Sequence, residues 1–174
     1  MPAGVVVGFF RISPTMKIKV TAVLLAASLA FAGSSLVQAA DSAAAPRVIN
    51  IHAGAGNTMT FDVTSIAATP GEPLKVVLTN AGTLPKTVMG HNWVLLHPGN
   101  DPVAFAAAGA AEPENGYIPT KLKGQILAHI ALLGPGETGE VTFNAPSEPG
   151  EYPFLCAFPA HCLVGMRGLL VVKK

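Results

Sequence analysis

Three short turns leave this chain few folds to choose from. Thr69-Pro70-Gly71-Glu72, Gly134-Pro135-Gly136-Glu137 and Ser147-Glu148-Pro149-Gly150 each combine a Pro, which presets φ, with a Gly, which lets the chain reverse, and each separates two apolar runs. The runs between such turns are short and either β-branched or alternating with period two, the pattern of half-buried strands. Candidate strands are Arg47–Ala53, Thr58–Val63, Pro73–Asn80, Asn92–His97, Leu127–Leu132, Thr138–Asn144, Glu151–Cys156 and Gly168–Lys173. Eight of them predict an all-β fold, an eight-stranded two-sheet Greek-key sandwich. Residues 101–123 break the pattern, and Ala104–Ala111 reads as a short helix or flap before irregular chain, so one helical excursion is expected there. No stretch repeats at solenoid spacing.

Upstream of the strands the reading changes. Met16-Lys17-Ile18-Lys19 is basic, Val20–Ala32 is a 13-residue apolar run, and Gly33–Ala40 ends in small residues. That is the three-part pattern of a secretory signal peptide, and the run is shorter than the ~20 residues a membrane-spanning helix needs. Residues 1–39 are therefore read as a leader, with Met16 as the expected true start and cleavage after Ala39 or Ala40. About 135 residues then remain, enough for one domain. Residues 40–46 are expected to be a flexible Ala-rich tail and residues 47–174 the folded domain. The expected location is the periplasm or extracytoplasmic space, with no membrane insertion of the mature chain.

Charge narrows the partners. Eleven Lys and Arg face ten Asp and Glu, and three of the basic residues (Arg11, Lys17, Lys19) but no acid lie in the leader. The remaining eight against ten lack the basic footprint that phosphate-backbone binding needs, so nucleic acid is not an expected partner. Two Cys are too few to staple a scaffold, so a hydrophobic core must hold the fold.

Chemistry concentrates near the C-terminus. The stretch Cys156-Ala157-Phe158-Pro159-Ala160-His161-Cys162-Leu163-Val164-Gly165-Met166 places a thiol, an imidazole and a thioether at the spacing Cys-x4-His-x4-Met on one loop between two candidate strands. Far upstream, His91 sits in Met89-Gly90-His91-Asn92-Trp93, where a Gly gives way to a strand. A thiolate with two neutral imidazoles and a weak axial thioether is the ligand field of a blue-copper site, whereas zinc would normally take a fourth strong donor. His52, His97 and His129 have no comparable partners and read as surface or strand-edge residues. Trp93 reads as core. Cys162 reads as a small buried side chain, with an intermolecular disulfide or an auxiliary metal contact as alternatives; a bond to Cys156 would destroy the site.

These residues bring a resemblance with them. In Leu84-Pro85-Lys86-Thr87-Val88-Met89-Gly90-His91-Asn92-Trp93-Val94-Leu95, Leu132-Leu133-Gly134-Pro135-Gly136-Glu137, Val141-Thr142-Phe143 and Phe154-Leu155-Cys156-Ala157-Phe158-Pro159-Ala160-His161, the chain resembles cupredoxins of the azurin and auracyanin type over residues 48–174. The resemblance implies one copper ion per chain and the shuttling of single electrons between redox partners, not enzymatic turnover. It puts His91, Cys156 and His161 at the equatorial positions, Met166 at the axial one and the Gly90 carbonyl on the opposite side, with Asn92 tying the ligand loop to the first ligand strand.

Three features depart from azurins. Four residues, not three, separate His161 from Met166; no Cys is present for an N-terminal disulfide; and Asn80 stands where azurins carry a partly buried His, so the proton-linked switch of that His is expected to be absent. An apolar, charge-free docking patch near His161 is expected from Leu84, Val88, Met89, Phe158, Pro159, Ala160, Leu163 and Val164. Copper-dependent enzymes of related design need a second, His-rich centre, which the spare histidines do not form. Copper delivery is the alternative function, although the chain has no Met- or His-rich tract of the kind carriers favour.

Overall fold

The computed structural model describes residues 45–174; the leader reading of residues 1–39 and most of the expected tail lie outside them. Among the described residues, eight strands form two sheets. One is three-stranded, with β1 (Arg47–Ala53) parallel to β3 (Pro73–Asn80) and β3 antiparallel to β6 (Thr138–Asn144). The other has the order β2-β8-β7-β4-β5, built from β2 (Ser65–Ala68), β4 (His91–Leu96), β5 (Ile126–Leu133), β7 (Gly150–Leu155) and β8 (Arg167–Val172). Within it only β2 and β8 run parallel.

Seven of the expected strands are present to within one residue at each end; Thr58–Val63 is not a strand. Its only ladder contact is a bridge from Phe61 to Ala53, and the Asp62 carboxylate folds back onto β1 to accept the His52 backbone N–H. A side chain has taken the place of a ladder partner, as short polar residues in turns often do. The strand that pairs with β8 instead is Ser65–Ala68, too short and too Ala-rich to carry a period-two signal.

Alternation decides which faces meet. β3 buries every second residue, Leu74, Val76, Leu78 and Asn80, against the other sheet. β4 differs, being buried on both faces throughout. Trp93 and Leu95 enter the inter-sheet core, whereas Val94 and Leu96 pack outward against Phe105, Ala106 and Ile118. The outer cover comes from the expected excursion, which consists of a helix Pro102–Gly109 and two 3-10 turns, Pro113–Asn115 and Thr120–Gln125. Asp101 starts the helix by accepting the Val103 N–H, with Pro102 preset for the first turn. A further single helical turn not anticipated from sequence, Lys86–Met89, precedes β4. Numbered in chain order, Lys86–Met89 is α1 and Pro102–Gly109 is α2.

Trp93 is fully buried, its ring centroid 5.5 Å from that of Phe154 and 6.1 Å from that of Phe143, and its indole N–H lacks a partner among the described residues. An indole in so apolar a site should emit at the short-wavelength end of the tryptophan range. Fluorescence of the metal-free protein should therefore be strongly blue-shifted and move to the red on unfolding in urea; a red, solvent-like emission from the folded protein would contradict the packing.

Candidate metal centre

Strand pairing brings the donors together. β4 lies between β5 and β7, with Val94 opposite Leu155 and Leu95 opposite Phe154, so the start of β4 and the end of β7 sit at the same end of the sheet. His91 is the first residue of β4, and Cys156 directly follows β7. The loop that follows closes on itself. The Cys156 N–H donates to the Met166 carbonyl (3.0 Å), the Met166 N–H to the His161 carbonyl (2.9 Å) and the His161 N–H to the Phe158 carbonyl (3.1 Å). Cys156 and Met166 therefore face each other at the mouth of the β7–β8 hairpin, with His161 at its tip.

Of the residues singled out from sequence, the fold gathers His91, Cys156 and His161, whose donor atoms lie within 4.8 Å of one another. The Cys156 sulfur is 3.9 Å from His91 Nδ1 and 3.5 Å from His161 Nδ1. A metal with bonds of ~2.0 Å to nitrogen and ~2.3 Å to sulfur in a trigonal plane holds such donors about 3.7 Å apart, so the three present residues fit one ion. Met166 is fully buried in the same core cluster as Cys156, and Gly90, immediately before His91, is also buried. His52, His97 and His129 are exposed elsewhere, His52 paired with Asp62.

Two contacts fix these donors. Asn92 faces away from His91 and bridges two loops: its Oδ1 accepts the Ala157 N–H at 2.7 Å, and its Nδ2 donates to the Gly116 carbonyl at 2.9 Å. Behind the His91 ring lies Gly54, at φ +71°, where an added Cβ would stand 2.3 Å from His91 Nε2; nothing larger fits without displacing the ring. Asn80 is buried with its amide satisfied, donating to the Leu133 carbonyl and accepting the Gly82 N–H, so a non-titrating group braces this end of β3.

Electrostatically the pocket favours neutral groups. Burial pushes the Cys156 thiol up to about 12, opposed by the backbone N–H groups of Asn92 and Phe158, which favour the thiolate. Burial also lowers His91 from 6.5 to about 4, and lowers His161 to about 4 with a lesser contribution from neighbouring His91. Both imidazoles thus keep a free lone pair at neutral pH. Cys162 is a free thiol, buried among Val94, Leu96 and Phe105, so it neither joins Cys156 nor offers itself to a second chain.

Not every residue expected in a docking patch near His161 is exposed. Leu84, Val88, Leu163 and Val164 are exposed, with Met89 and Pro159 half-buried, but Phe158 is only 7 % exposed. Its ring is held between Tyr117 (centroids 4.9 Å apart) and His161 (4.6 Å), which removes it from the surface. On α1, Lys86 is exposed and lies 3.5 Å from the Glu137 carboxylate. Sequence reasoning missed Tyr117 altogether. It lies in an irregular stretch without periodicity, and its one signal was an aromatic residue directly after a Gly.

Comparison with known proteins agrees with this geometry. The family model described as copper binding proteins, plastocyanin/azurin family, matches residues 48–173. Azurin of Pseudomonas fluorescens biotype C is 37% identical over 119 residues, 66% of this chain and 91% of that protein. Auracyanin-B of Chloroflexus aurantiacus is 35% identical over 121 residues, 68% of this chain but only 49% of that protein, so the match spans about half its length. The dithionite-reduced auracyanin of Roseiflexus castenholzii superposes with a TM-score of 0.65 at 29% identity, covering 75% of this chain and 99% of that one.

The depressed histidines make the metal-free protein sensitive to acid. Because the unfolded chain protonates His91 and His161 at a higher pH than the folded one does, stability is full above about 6.5 and declines towards about 4. The loss should be on the order of 1 kcal/mol per pH unit per histidine. Urea unfolding of the metal-free protein should show a midpoint that falls across this window; a flat midpoint would mean the imidazoles are not held neutral.

Proposed function

The chain belongs to the plastocyanin/azurin family of copper-binding proteins, and we propose that it is a type 1 copper electron carrier, exported to the periplasm or another extracytoplasmic space, that exchanges single electrons with redox proteins. The observation that carries this reading is the buried, preassembled set of His91 Nδ1, Cys156 Sγ and His161 Nδ1. These three, with Met166 and the Gly90 carbonyl, would hold the ion. Copper, when bound there, supplies a one-electron couple.

The chain's own residues do the rest. Electron exchange is fast when the ligand geometry changes little between oxidation states, and here each donor is anchored to a sheet or to the hydrogen-bonded loop. The neutral imidazoles would hold the ion without losing a proton, whereas the Cys156 thiol would have to give up its own. His161 keeps 2 % of its surface and His91 none, so the route from the site to solvent runs through the His161 edge. Around that edge, Leu84, Val88, Leu163 and Val164 offer a partner an apolar surface that sheds water readily. Three buried, converging donors suit retention of the ion better than its delivery to another protein. No helix among the described residues is long and apolar enough to cross a membrane.

The docking surface can be tested without knowing the physiological partner, since two copies meeting at their His161 edges exchange electrons with each other. Placing a carboxylate there, as Leu163→Glu or Val88→Glu, should slow self-exchange, measured by NMR line broadening in mixtures of oxidised and reduced protein, about tenfold at low salt. The rate should recover partly as salt screens the repulsion, and the copper spectrum should stay unchanged. A wild-type rate in both variants would place the exchange route elsewhere.

A further inference from the structure

The 110–119 segment does more than cover the outer face of β4. Three observations meet at Tyr117. Its backbone adopts φ +65°, a left-handed conformation that a bulky residue rarely takes, directly after Gly116 at φ +63°. Its ring packs edge-on against Phe158, whose ring in turn packs on His161 with centroids 4.6 Å apart. The segment is also pinned at both sides. The Gly116 carbonyl accepts Asn92 Nδ2, the Tyr117 N–H donates to the Glu112 carbonyl, and α2 approaches so closely that a Cβ on Gly109 would stand 2.1 Å from the Tyr117 carbonyl oxygen.

Gly or Asn would relieve this backbone at once, since both tolerate the left-handed region. A tyrosine at the same place puts a large ring into the seam between the two hydrophobic clusters, against both of which it packs. We propose that Tyr117 is a positioning residue for His161: held in a strained conformation by α2 and Asn92, its ring wedges Phe158 against the His161 imidazole and so fixes the ligand nearest the surface. Through Asn92 the same segment is tied to His91 and to Ala157, so one excursion braces both ligand loops. The role of His161 as a ligand rests on the copper reading given above; the mechanical linkage does not.

Substitutions at position 117 separate the ring from the backbone. Tyr117→Phe keeps the ring and the strain, whereas Tyr117→Asn and Tyr117→Gly relax the backbone and remove the ring; Tyr117→Leu retains apolar bulk should the smaller residues prevent folding. In the metal-free protein, NMR should show slow flipping of the Phe158 ring in the wild type and Tyr117→Phe, and faster flipping in the variants without the aromatic ring. After copper loading, the latter should lose the ion roughly tenfold faster and shift in reduction potential and copper hyperfine splitting, with Tyr117→Phe unchanged. If the ringless variants alter only the urea midpoint while Phe158 flipping, potential and hyperfine splitting stay at wild-type values, Tyr117 is merely structural and the proposal is wrong. It is equally wrong if Tyr117→Phe behaves like Tyr117→Asn. A wild-type protein that takes up copper without the spectrum of a thiolate site would sink the copper reading instead, and Phe158 flipping in the metal-free variants would still decide the role of Tyr117.

Discussion

The pairing of β4 with β7 turns scattered residues into a site. His91 and Cys156 are 65 residues apart, yet two antiparallel partners within that pairing, Val94 with Leu155 and Leu95 with Phe154, place their side chains 3.9 Å apart at one end of the sheet. The price of closing so long a loop is met by the sandwich core, in which Trp93, Leu95, Phe154 and the inner residues of β3 bury together. Once the strands are in register, the β7–β8 hairpin has only to return over its own mouth to bring His161 and Met166 alongside. An irregularity in the β4–β5 ladder, where His91 pairs with Leu133 but Trp93 with Ile130, lies at His91, the first of the proposed ligands, and such irregularities commonly re-aim a side chain.

Rigidity and neutrality come from the same burial. The pocket holds two imidazoles with lone pairs available at neutral pH and a thiol that burial keeps protonated. The brace behind it is polar but non-titrating. Asn80 ties the ends of β3 and β5 with its amide, where an ionisable group would make the pocket's shape depend on pH. Asn92 plays the corresponding part in front, linking the first ligand strand to the ligand loop and to the outer excursion.

Most of this was legible in the sequence because it rests on local pattern. Pro/Gly turns and alternation give seven strands nearly to the residue, and the Cys156, His161 and Met166 spacing marks the ligand loop. What escaped depends on contacts between distant segments. The Thr58–Val63 stretch alternates like a strand, but the Asp62 side chain occupies the backbone group a partner would have used, and Ser65–Ala68 pairs with β8 only because β8 is there. Phe158 reads as a surface residue until Tyr117 is seen covering it, and nothing local predicts a tyrosine held at positive φ.

Whether Cys156 bonds directly to copper between two histidines decides the account. The absorption spectrum of the copper(II)-loaded protein, recorded beside that of Cys156→Ser, measures this most directly. A short copper–thiolate bond in a trigonal site gives an intense visible charge-transfer band, expected in the wild type at one copper per chain and absent from the variant. Stoichiometric copper binding by the wild type with only the weak absorption of a tetragonal nitrogen and oxygen site, or a band that survives the loss of the thiol, would contradict it.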